Sequence, residues 1–132
     1  MHDHTEVPTA EQVLAKMTAD MGETPEVMEL LSKIKPAMVV EQARSMQFAN
    51  ADSSIPEKYR QLISIAAVAG SGTPSCLKQQ ISNSLRKGIE PIEIVDTLVL
   101  ARVALASTVF SNSKEGLRVL VDSLVEASAD NA

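Results

Sequence analysis

The single cysteine of the chain, Cys76, is the residue best placed to do chemistry. It follows Thr73-Pro74-Ser75, a run that reads as a helix start with threonine as cap and proline in the first turn. Cys76 then falls at the third helical position, where exposed N–H groups and the helix dipole favour a thiolate, with Lys78 close by in sequence. That is the setting of a reactive thiol. The opposing reading is a small buried hydrophobe, since free cysteines are commonly buried and inert.

Other side chains offer less. Arg102 interrupts an otherwise apolar stretch and is a candidate anion-binding residue for a substrate carboxylate; the alternative is an ion pair with a carboxylate of the same or a neighbouring subunit. His2 and His4 lie in a polar terminus without the preorganised ligands of a metal centre, so no metal site is expected. Met17, Met28, Met38 and Met46 recur at helical spacing and are read as core filler. Ser111 and Ser113 have no histidine near them in sequence to activate a hydroxyl.

The elements that position these residues are helical throughout. Apolar positions Val13, Leu14 and Met17 define a first helix from about Thr9 to Met21, closed by Gly22. Thr24-Pro25-Glu26 opens a second, with Thr24 as cap, that ends before Pro36; a third covers roughly Pro36 to Ala49, with Met38, Val39, Ala43, Met46 and Phe48 facing inward. Ser54-Ile55-Pro56-Glu57 has the form of a capping box and starts a helix that stops at Gly70-Ser71-Gly72. The helix carrying Cys76 closes at Gly88, and Pro91 opens a long apolar helix that breaks near Ser111-Asn112-Ser113. The last helix bears Leu117, Leu120, Val121, Leu124 and Val125 on one stripe. Nothing alternates as an edge strand would.

The expectation is an all-α, single-domain bundle of six or seven helices over residues 9–126, with a flexible N-terminal tail (1–8) and a C-terminal tail (127–132). At 132 residues, 45% apolar and 22% charged, the composition is that of one globular domain. With Phe48, Tyr59 and Phe110 as the whole aromatic set, the core must be aliphatic.

Composition also excludes partners. The formal net charge is −5 and the cations are scattered, so neither nucleic acid nor an anionic membrane surface is an expected partner. The stretch Ile92 to Phe110 contains Glu93, Asp96 and Arg102 and reads as too short and too charged for a bilayer, hence as a helix buried on nearly every side. A monomer of this size has too few helices to cover it, which points to a homo-oligomer. One cysteine and a polar N-terminus point to the cytoplasm.

The run Ile55-Pro56-Glu57-Lys58-Tyr59-Arg60-Gln61-Leu62-Ile63 resembles the signature of the carboxymuconolactone decarboxylase family, to which the alkylhydroperoxidase D proteins belong. Pro74-Ser75-Cys76-Leu77, Leu85-Arg86-Lys87-Gly88, Glu93-Ile94-Val95-Asp96 and the turn Met21-Gly22-Glu23-Thr24-Pro25 agree with it, so that it spans about Glu11 to Leu120. The resemblance implies an all-helical, alkylhydroperoxidase D-like fold and a symmetric oligomer, a trimer or hexamer. In redox members a glutamate, a CxxC pair and a histidine perform thiol-based peroxide reduction. Decarboxylase members act on a lactone acid with acid–base residues.

Carried onto this chain, the second cysteine of the pair falls on Cys76, the first on Thr73, the histidine on Gln80 and the glutamate on Gln61. Both glutamines keep hydrogen-bonding reach but do not titrate. A two-cysteine mechanism is therefore absent within one chain, and no cofactor is implied. Three functions remain: an oxidoreductase with weak thiol-dependent peroxidase (peroxiredoxin-type antioxidant) activity through Cys76, a lactone-acid decarboxylase-like enzyme, and a non-catalytic oligomer that binds a small molecule. Gln61 and Gln80 either orient a carbonyl or carboxylate ligand or bond to each other or to backbone.

Overall fold

A computed structural model describes residues 6–131. Among these residues there are seven helices and no strand: α1 (Ala10–Met21), α2 (Glu26–Ile34), α3 (Pro36–Asn50), α4 (Glu57–Ser71), α5 (Pro74–Arg86), α6 (Pro91–Asn112) and α7 (Lys114–Asp130). The all-α expectation holds. His2 and His4 lie outside the described residues, as does most of the expected N-terminal tail. Residues 127–130, expected in the C-terminal tail, continue α7.

The punctuation works largely as its residue types require. Thr9 caps α1 in a reciprocal pair, its hydroxyl accepting from the Gln12 N–H at 3.2 Å while the Gln12 carboxamide accepts from the Thr9 N–H at 3.0 Å. Gly22 ends α1 at φ 82°, the left-handed conformation that glycine adopts without a Cβ penalty. Thr24 departs from its expected role. Pro25, not Thr24, is the residue before α2, and the Thr24 hydroxyl pairs instead with that of Thr18 at 2.6 Å, tying the turn back to α1. At α4, which starts at Glu57, the Ile55 N–H donates to the Ser53 hydroxyl at 3.2 Å.

The chain forms two compact units, divided between Arg60 and Gln61. In the first, α1, α2 and α3 pack pairwise, with Val13 and Val39 buried. Of the expected inward residues of α3 only Val39 is buried; Met38, Met46 and Phe48 are exposed, so those methionines are not core filler here. In the second unit, Ile65 of α4, Ile89 of the α5–α6 turn and Ile94 of α6 form the core, with Leu62, Leu77, Ile81 and Leu98 packed around them.

Beyond that core the apolar surface is uncovered. Ile94 is the sole buried residue of α6, and α7 buries none. The expectation that α6 is enclosed is thus incorrect for the single chain: Leu100 is 70% and Phe110 74% exposed. The helix is also longer than the stretch Ile92 to Phe110, running from Pro91 to Asn112. At 22 residues α6 is the one helix among the described residues long and apolar enough to cross a bilayer, although Asp96 and Arg102 interrupt it.

Because Ile65 is fully buried at the centre of the second unit, truncation leaves a cavity that three helices must collapse upon. Ile65→Ala is expected to cost about 2–5 kcal/mol, read as a lowered midpoint in urea unfolding followed by circular dichroism. Phe48→Ala, at an 86% exposed position, should stay within about 0.5 kcal/mol of the parent.

Candidate functional site

The site is built on the first two turns of α5. Gly72, at φ 74°, turns the chain out of α4; a Cβ there would meet no atom within 4 Å, so the backbone conformation and not crowding calls for glycine. Thr73 occupies the cap position of α5 but its hydroxyl makes no cap bond. It pairs with the Ser71 hydroxyl at 3.1 Å instead. Pro74 and Ser75 are the first two helical residues, and Cys76 the third, as the sequence required. The thiol is exposed, which answers the buried-hydrophobe reading against it.

Cys76, Gln80 and Ser84 succeed one another at four-residue intervals, one above the next along α5. Exposure falls along this row: Cys76 is open, Gln80 half-buried, and Ser84 fully buried. Ser84 donates its hydroxyl to the Gln61 side-chain oxygen of α4 at 3.4 Å. Among the described residues Gln61 has no hydrogen bond to Gln80 or to backbone. Its oxygen is engaged, and its amide N–H groups remain as donors. Gln80 makes no side-chain hydrogen bond among the described residues, so its carboxamide beside the thiol retains both donor and acceptor capacity.

Ser84 is the residue that sequence reasoning missed. A serine seven residues after Leu77 and three after Ile81 sits on the apolar face of α5, and that out-of-place hydroxyl was the available signal. Its partner lies 23 residues away and is not visible from helix periodicity.

Arg102 does not join this row. It is exposed on α6, beyond Leu98, and has no ion-pair partner among the described residues. The expected burial, and with it the desolvation cost, is therefore absent in the single chain. No group of three histidine, cysteine, aspartate or glutamate residues that could hold a metal occurs among the described residues. Two open apolar grooves are present. One, of about 510 Å³, lies where α6 meets α7 and is lined by Phe110, Leu117 and Val121 with Lys114 and Arg118. The other, of about 480 Å³, lies between α4 and α6. Neither is lined by Cys76, Gln61 or Gln80.

The model of the carboxymuconolactone decarboxylase family matches residues 39–116, more than half of the chain. The chain belongs to the carboxymuconolactone decarboxylase family. The matched region runs from within α3 to the first turn of α7, and so contains Gln61, Thr73, Cys76 and Gln80. No curated protein matches the chain. Within this family member, then, the residues of interest all stand inside the shared region, on α4, α5 and the turn between them.

The Ser84–Gln61 bond joins α4 to α5 below the thiol without touching it. Ser84→Ala is expected to lower stability by about 0.5–1.5 kcal/mol while leaving the rate of Cys76 alkylation in the folded protein unchanged. Denaturant titration and thiol labelling with iodoacetamide read the two effects separately.

Proposed function

We propose that this member of the carboxymuconolactone decarboxylase family is an oxidoreductase with weak, thiol-dependent peroxidase activity carried by Cys76 alone. The observation that supports the reading is the exposed thiol in the first turn of α5, with the Gln80 carboxamide one turn further on. The Cys76 thiolate attacks the terminal oxygen of a hydroperoxide. The O–O bond breaks, the sulfur keeps one oxygen as sulfenic acid, and the departing alkoxide takes a proton from water. Gln80 donates a hydrogen bond to the oxygen that accumulates charge but supplies no proton, which keeps the rate below that of a site with a titrating acid.

Recovery needs two thiols from outside the chain or from another subunit. The first condenses with the sulfenic acid, releasing water and leaving a mixed disulfide; the second displaces the Cys76 thiol and departs as a disulfide with the first. The reducing milieu of the cytoplasm suits this cycle. The protein acts in it as a homo-oligomer, a trimer or hexamer, without a nucleic acid, membrane or cofactor.

The decarboxylase-like alternative relies on a titrating acid or base beside the reacting atoms, and both glutamines lack one. A non-catalytic ligand-binding oligomer is the remaining alternative. Peroxide consumption with dithiothreitol as reductant separates these readings. Turnover that disappears in Cys76→Ser, with one oxygen added to Cys76 on peroxide treatment, is the expected result. A thiol that labels readily with iodoacetamide yet neither gains oxygen nor turns over peroxide would overturn the reading and favour ligand binding.

A further inference from the structure

We draw no further inference here: the strongest candidate, the open groove where α6 meets α7, lined by Phe110, Leu117 and Val121 with Lys114 and Arg118, is part of the uncovered apolar surface of both helices, and nothing in the structure shows what covers it.

Discussion

Ile65 holds the second half of the chain together through a contact that three segments share. It is fully buried, it projects from α4, and it meets Ile89 from the α5–α6 turn and Ile94 from the first turn of α6. Leu77 and Ile81 of α5 close around it, and that packing fixes the face of α5 that turns inward. Ser84 lies on that face, while Cys76 stands at the open end of the same helix. The thiol is therefore presented by a helix whose rotation about its own axis is set by aliphatic contacts one turn away. Surface ion pairs contribute little to this arrangement: Lys16–Asp20, Lys33–Glu29, Arg44–Glu41 and Arg118–Glu115 are local and solvent-exposed.

Glycine, proline and cap residues made the helix boundaries legible. Gly22 and Gly88 adopt positive φ where the sequence puts helix ends, and Pro36, Pro74 and Pro91 each begin a helix. These signals are local, because a positive φ or a missing N–H constrains only its immediate neighbours. What was not legible is which apolar face finds a cover. Phe48, Met46 and the stripe of α7 have the right spacing for burial, yet periodicity tells only which side of a helix is apolar. Whether another element lies against that side depends on contacts far apart in sequence. The same limit hid the Ser84–Gln61 bond, which joins two helices across 23 residues.

The candidate site was legible to a similar depth. The position of Cys76 in the first turn of α5 follows from Thr73-Pro74 and stands in the fold as expected. The mode of capping does not, since the Thr73 hydroxyl turns back to Ser71. Gln61 and Gln80 were recognisable as one pair of substitutions, but the fold gives them different duties. Gln61 gives its oxygen to a structural bond beneath the row and keeps only its amide donors, whereas Gln80 is uncommitted next to the thiol. Two residues of one type, replaced in the same family motif, thus differ in what remains available to a substrate.

The junction between the last two helices sets a limit on how this chain can vary. Ser113 is the single residue between the 22 residues of α6 and the 17 of α7. With so short a joint, the helical phase of the second segment is locked to that of the first. One inserted or deleted residue within the first turn of α7 would swing its apolar stripe by about 100° about the helix axis, and a change of three or four would nearly restore it. Length changes in this part of the chain are therefore tolerated in whole turns, whereas the polar stretch from Ala51 to Ser54 carries no such phase relation to keep.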